Sequence, residues 1–412
     1  MNVGSVIKYY RSKHNLTQQQ LADGICSISH LSKIESNSYI PHESTTQALL
    51  AKMGVRWKTE IDKHKQLERE LGKFIDCSIY FDLNAMRKQY EELEQEIDYI
   101  QSTELVNQFE LYKFRYYIFD EDYEQAECQK NLLERLKGSF TAPEKWLHQF
   151  FLSVYYSMKG QAEHSLKLLE NLEEGIQSIP QKFEGEYYYQ KARLLILHDR
   201  YERSAYYAEL AVQHYQLHYN YIRLLHAQLL LAINYTKRNL LVQAVGLYEA
   251  LKRNSQITGQ TELYYQTVYN YAELLKQREK NDEALLQLQE IKDRLPKDSY
   301  FYKAVLVSAL EAAVETGEDV SHLIHELKAA ITDKNDTYFQ VYAEYFEKRS
   351  FSQSDLLDYY EEKMFPFFRR NGYIKEAKKV SSQLALFYQK KKEWEKAHFY
   401  STYHETNGGE FT

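Results

Sequence analysis

Proline and glycine are scarce, at 5 and 14 of 412 residues. A β-sandwich or a doubly wound α/β protein of this length spends far more of both on turns, whereas helices joined by short polar loops need few, so the composition predicts an all-α chain. Cysteine is scarcer still. Cys26, Cys77 and Cys128 are too few and too scattered for a disulfide framework, and no C-x-x-C pair exists to hold zinc. No apolar h-region opens the sequence, and no run of 18 or more uncharged apolar residues follows. A cytoplasmic protein with no membrane partner is expected. Phosphate cradles of the G-x-x-x-x-G-K-[ST] and G-x-G-x-x-G types are missing, as is H-E-x-x-H. The 14 His are dispersed; His214 and His218 stand four apart but read as a solvated helix face. No catalytic residue, metal site or cofactor is expected, and the chain is not read as an enzyme.

What is present points to binding. Apolar residues make up 44% of the chain, enough for a sizeable core, and the length suggests two or three domains. The 38 Tyr suit helix interfaces or the wall of a groove, because each ring carries a hydroxyl that needs a partner once buried. Charge is uneven. Residues 1 to 73 hold 11 Lys and Arg against 7 Asp and Glu; the remainder holds 41 against 52. A mildly basic head is compatible with phosphate contacts, and an acidic body is not.

Residues 1–55 show four short helical patterns. Val3, Val6, Ile7 and Tyr10 share one helical face up to the polar run 12–15. Thr17 followed by Gln20 forms a capping box that starts the second helix, and Gly24 stops it. A third helix restarts near Ser27, with Ile28, Leu31 and Ile34 expected in the core. The fourth runs from about Ser44 to Met53 before Gly54. Two short helices across a tight turn can place the second in a DNA major groove while the first offers its amino-terminal N–H groups to phosphate. Gln18, at the start of the first, and Ser27, Ser29, His30 and Lys33, on the face left over after the core residues, are the candidate DNA-binding residues.

The string TQQQLADGICSISHLSKIESNSYIP resembles the helix-turn-helix of XRE/Cro-type regulators, matching at Thr17, Gln18, Leu21, Ala22, Ser27, Leu31, Ser32, Ile34, Glu35 and Pro41. It departs at Ser36-Asn37-Ser38, where that family often has Asn-Gly. Residues 56–80 are read as a charge-laced helical linker.

From 81 to 412 a small or apolar position recurs inside a helix start: Ala126, Ser165, Ser204, Ala244, Ala284, Leu323, Leu357 and Ala397, at steps of 39, 39, 40, 40, 39, 34 and 40, with Ala85 or Met86 before them. A period of this kind marks a solenoid of helix pairs, since one pair cannot bury its apolar face alone. The units resemble tetratricopeptide repeats stretched to about 40 residues, so a right-handed superhelix of about eight or nine pairs with a hollow inner wall is expected. Inner-wall positions on the upstream helices carry polar groups. Gln190, Arg193, Asn234, Gln266, Tyr269 and Asn270 are the candidates for holding an extended peptide: a side-chain amide can donate to and accept from a peptide backbone at once, and Arg193 can pair with a carboxylate.

Head and repeats together resemble the RNPP family of intracellular peptide receptors of Gram-positive bacteria. That resemblance implies a quorum-sensing transcription regulator, binding paired half-sites of double-stranded DNA as a homodimer or homotetramer under control of a short, secreted and re-imported signalling peptide. It also implies an alternative, in which the repeat body binds a phosphorelay response regulator when peptide is absent.

Overall fold

The computed structural model describes residues 1–173, 183–333, 336–349 and 353–405. Every regular element among them is a helix, as the low glycine and proline content predicts. The chain divides into two compact units, 1–254 and 255–412.

Unit 1 begins with α1 (Val3–Lys13), α2 (Gln18–Ala22), α3 (Ile28–Glu35) and α4 (Glu43–Lys52). The capping box is formed: Gln20 N–H donates to Thr17 Oγ1 at 3.2 Å, and Thr17 N–H donates to Gln20 Oε1 at 2.8 Å. Ser27 caps α3 by accepting from the His30 N–H at 3.2 Å. Beyond α3, Asn37 takes the left-handed conformation (φ 55°) that a glycine usually occupies, so the Asn-Gly of the resembled pattern is dispensable here. Val6, Ile7, Leu21, Leu31, Ile34, Leu49 and Leu50 are fully buried between the four helices.

Helix α1 crosses the end of α3 at Gly4, where an added Cβ would overlap the Ile34 carbonyl oxygen. That atom is backbone and cannot swing aside. Gly4→Ala should therefore unseat α1 and lower the head's stability by about 1–3 kcal/mol, the range for overpacking a tight core. A thermal melt followed by circular dichroism would show it; an unchanged melt would mean that α1 can slide.

The rest of unit 1 is built from helix pairs: α5 (Trp57–Tyr80) with α6 (Leu83–Glu94), then, after the short α7 (Ile97–Ile100), α8 (Val106–Phe119) with α9 (Tyr123–Leu136), α10 (Ala142–Met158) with α11 (Ala162–Asn171), α12 (Glu184–Leu197) with α13 (Tyr201–Leu217), and α14 (Tyr221–Lys237) with α15 (Leu241–Ile257), whose last turn enters unit 2. Unit 2 continues with α16 (Thr261–Gln277) and α17 (Asn281–Lys292), α18 (Tyr300–Thr316) and α19 (Ser321–Ala330), α20 (Thr337–Arg349) and α21 (Gln353–Tyr359), α22 (Phe365–Arg370), then α23 (Ile374–Lys390) and α24 (Trp394–Glu405).

One turn recurs between paired helices. At Asp199, Asn239 and Glu279 the chain enters the left-handed region (φ 55–58°), and the following N–H closes back on a carbonyl five residues earlier, as in Arg200 N–H to Leu195 O at 2.9 Å and Leu240 N–H to Tyr235 O at 2.8 Å. This satisfies carbonyls that a helix end otherwise leaves orphaned. Five residues after each turn comes the small position of the repeat. Ala126, Ser165, Ser204, Ala244 and Ala284 are all fully buried, and Ser165 and Ser204 each meet a residue twelve earlier on the upstream helix. Ser165 Oγ donates to Ser153 O and Ser204 Oγ to Ala192 O, both at 2.7 Å, so the backbones touch and larger side chains are shut out.

Past Leu323 the regular recurrence is broken. A π-helical turn at Tyr360–Met364, just before Pro366, breaks the regular pairing, and the turn at Gly372 (φ 75°) makes the fully buried Ala377 the small residue there. Leu357 does not hold the repeat position assigned to it from the period. It is half-buried on α21 and lines a hollow.

Candidate functional site

The head presents one face of α3 to solvent. Ser27, Ser29, Ser32 and Lys33 are exposed, while Leu31, Ile34 and Glu35 are buried. Ile28 is not a core residue. It is 48% exposed, because it starts α3 and projects beyond the four-helix core. His30 is half-buried, its ring edge-to-face with Tyr39 at 4.7 Å. Gln18 sits at the start of α2, but its amide is turned inward and donates to Glu35 Oε2 at 2.8 Å; only the helix terminus, not this side chain, remains for phosphate. Glu35 also accepts both Arg11 Nε, at 2.6 Å, and Arg11 Nη2, at 3.0 Å. Arg11 Nη1 donates to Leu16 O at 2.8 Å, so one carboxylate ties α1, the α1–α2 turn, α2 and α3 together. Sequence reasoning found Glu35 only as a motif position; its burial follows from α3 resting on α1.

The head is joined to the following helices through polar contacts. Tyr10 OH donates to Glu60 Oε2 at 2.8 Å, the Asn2 N–H donates to Glu104 Oε2 at 2.9 Å, and the Tyr9 and Tyr99 rings meet edge-to-face at 5.5 Å. Burial and the neighbouring Glu60 push the Tyr10 phenol well above its usual range, so it stays a donor. None of these contacts covers the exposed face of α3.

In unit 1 the upstream helices bring charges together. Arg115 Nη2 lies 2.7 Å from Glu186 Oε2 and 3.0 Å from Ser78 O, and Arg223 Nη2 is 3.9 Å from Glu186 Oε1 with its guanidinium 4.5 Å above the Tyr189 ring. The end of α5 also meets α14, where Asn220 Nδ2 donates to Ile79 O at 3.0 Å. Burial, reinforced by Arg223, holds His226 neutral with a pKa pushed down to about 4. Gln190 is buried, and its Nε2 has no partner. Arg193, half-buried, donates through Nη2 to Ser157 Oγ at 2.7 Å. Asn234 does not stand on an open wall. It is fully buried, and its Nδ2 donates to Ser204 Oγ and Leu230 O, both at 2.9 Å, because its position faces the close crossing of the repeat. Asn234→Ala should therefore act on stability, by roughly 1–3 kcal/mol in a denaturant melt, as expected for buried partners left unpaired.

Unit 2 holds a hollow of about 750 Å³, lined among others by Lys276, Glu311, Tyr342, Tyr345, Tyr360 and Lys379. Glu311 bridges Lys276 at 2.7 Å and Lys379 at 2.6 Å. Arg349 lies 2.9 Å from Glu315 and donates to Tyr345 OH at 2.8 Å. The three unit 2 candidates do not line this hollow. Gln266 is exposed, the half-buried Tyr269 packs edge-to-face on Phe301 at 5.5 Å, and Asn270 Nδ2 donates to Gln266 O one turn back at 2.8 Å. They sit too early on α16: the hollow begins at Glu273. Its remaining lining escaped sequence reading because α20 to α22 interrupt the period from which inner-wall positions are counted.

The helix-turn-helix family HTH_3 matches residues 7–58, from within α1 to the start of α5. The transcriptional activator NprA of Geobacillus stearothermophilus is 25% identical over 395 residues, covering 92% of this chain and 96% of its own. Among solved structures, the apo quorum sensor NprR from B. thuringiensis shares the fold at a TM-score of 0.68 with 17% identity, covering 82% of this chain and 97% of its own. NprR in complex with its cognate peptide NprX gives a TM-score of 0.66, also at 17% identity, covering 82% and 98%. A helix-turn-helix reader carried on tetratricopeptide-like pairs is a transcription regulator by class. With a curated relative matching over 92% of the chain, the resemblance to regulators of the RNPP type is supported over nearly its whole length.

Proposed function

We propose that this chain reads double-stranded DNA with the exposed face of α3 and that a short peptide, bound by the helix pairs of 81–412, controls that reading. The observation that carries the proposal is the uncovered α3 face, with Ser27, Ser29 and Lys33 exposed at its surface, on a head hydrogen-bonded to α5 through Tyr10 and Glu60. The relatives support both halves: one is described as a transcriptional activator, another is complexed with its cognate peptide. The protein would act in the cytoplasm, as a homodimer or homotetramer on paired half-sites, by binding alone and without a catalytic residue. Peptide would change DNA affinity only by as much as it prefers one arrangement of the repeats over another.

The test selects duplexes from a random DNA pool with the full chain and repeats the binding with Lys33→Ala and Ser29→Ala. Lys33→Ala should weaken binding about 10-fold and reduce the salt dependence by about one phosphate contact, and Ser29→Ala should relax sequence preference. Retention of wild-type affinity and preference in both variants would remove α3 as the reader.

A further inference from the structure

Arg193, half-buried with its Nε enclosed, is anomalous among the cations of unit 1. Arg115 and Arg223 share the Glu186 carboxylate, and Lys191 pairs with Glu173. Among the described residues Arg193 has no acidic partner; Nη2 is engaged by the Ser157 hydroxyl, and Nε is shut away from solvent with no described group to bond. One helical turn earlier on α12, Gln190 is 4% exposed and its Nε2 donors are also unused. Residues three apart on a helix share a face, so the two sets of idle donors stand side by side. The neighbours acting on Arg193 do not neutralise it: Arg223 is a cation and Tyr189 a phenol. A half-buried guanidinium without an acidic partner, next to a buried amide without an acceptor, leaves donors unused and suits an anion that arrives with something else.

We propose that Arg193 and Gln190 form a carboxylate subsite, so that the peptide taken by this protein presents an acidic group to the α12 wall. The inference rests on the peptide reading above and narrows it to a chemical class. A guanidinium binds a carboxylate through paired N–H donors, and a side-chain amide can occupy a remaining lone pair. The carboxylate can belong to an Asp or Glu side chain or to the peptide's C-terminus; both offer the same two oxygens.

The experiment uses the full-length chain and three synthetic heptapeptide pools. The first carries Asp or Glu at one position with a free C-terminus, the second carries the same acids with an amidated C-terminus, and the third carries Asn or Gln with an amidated C-terminus. Retention on the immobilised protein is read by mass spectrometry. Peptides from at least one acidic pool should be retained about tenfold or more over the neutral pool, and comparing the first two pools tells side chain from terminus. In Arg193→Gln the preference should vanish, whereas Arg193→Lys should keep part of it. The ligand-free Arg193→Gln protein should melt no lower than wild type, because a half-buried charge without an acidic partner has been removed. Equal retention of acidic and neutral pools would overturn the subsite and leave peptide binding standing. A melting temperature several degrees lower in ligand-free Arg193→Gln would make the residue structural and also overturn it. Retention of no pool would count against the peptide reading itself, and the subsite would fall with it.

Discussion

Glu35→Ala is expected to abolish DNA binding while leaving the helix pairs folded. The Glu35 carboxylate is 6% exposed and holds two nitrogens of Arg11 and the amide of Gln18, groups drawn from both helices that α3 packs against. Removing it strands the Arg11 guanidinium, which is only 16% exposed, and breaking one side of a buried pair costs about 3–5 kcal/mol. A four-helix head this small has little stability beyond that to lose. Circular dichroism should show a new low-temperature transition comprising only the head's share of helix, and selected duplexes should no longer bind. Glu35→Gln keeps the shape and one acceptor but not the charge, and it should fall between the two. A single melt at the wild-type temperature in both variants would show that the clamp is dispensable.

Acidification should loosen unit 2 through Glu311. Burial acts to raise the pKa of this carboxyl, but Lys276 and Lys379 outweigh it and hold the group at about 2, against about 4.3 in an unfolded chain. A carboxyl with a depressed folded pKa contributes stability that is fully present above its unfolded value and is lost as pH falls toward its folded value. The contribution is therefore complete at neutral pH and declines between about pH 4 and 2. A shift of this size corresponds to about 2–3 kcal/mol. Glu311→Gln should cost about that much at pH 7 in a urea melt, and the gap from wild type should close as pH drops through this window. A gap that stays constant with pH would mean that the bridge to Lys276 and Lys379 is not what depresses the carboxyl.

Peptide entering the unit 2 hollow would meet the same network. Glu311 and Lys276 are paired to each other and to Lys379 and Glu273, so a ligand must replace these contacts rather than fill vacant ones. Arg193 in unit 1 differs in holding only a neutral hydroxyl, that of Ser157, and no carboxylate among the described residues, which is why the acidic subsite is assigned there.

Much of this architecture is written in the order of residues. Thr17 with Gln20, the restart of a helix near Ser27 and the 39–40 residue recurrence from Ala126 to Ala284 are local or periodic, and each returns in the structure as a cap, a helix start or a buried small position. Counting along the period fails where the backbone departs from it, so Leu357 was given the place that Ala377 holds. The direction in which a side chain points is harder still. Ile28 was placed in the core by helical spacing, yet at a helix start there is no further layer to cover it. Asn234 was placed on the open wall by its offset from the small residue, but a shift of about one position around a helix separates the wall from the crossing, and the Ser204 hydroxyl was there to receive it.

The linear chain alone determined an all-helical protein, a capped reader at its head and a body of repeated pairs, because caps, turns and apolar period depend on neighbours no more than about a dozen residues away. Tertiary packing decided which polar groups are spent and which are spare. Glu35 with Arg11 and Gln18, Glu186 with Arg115 and Arg223, and Glu311 with Lys379 are pairings across 17 to 71 positions, and Arg193 stands out only once those partners have been assigned. Whether a buried charge is satisfied is a property of three-dimensional neighbours, and no spacing rule along the chain encodes it.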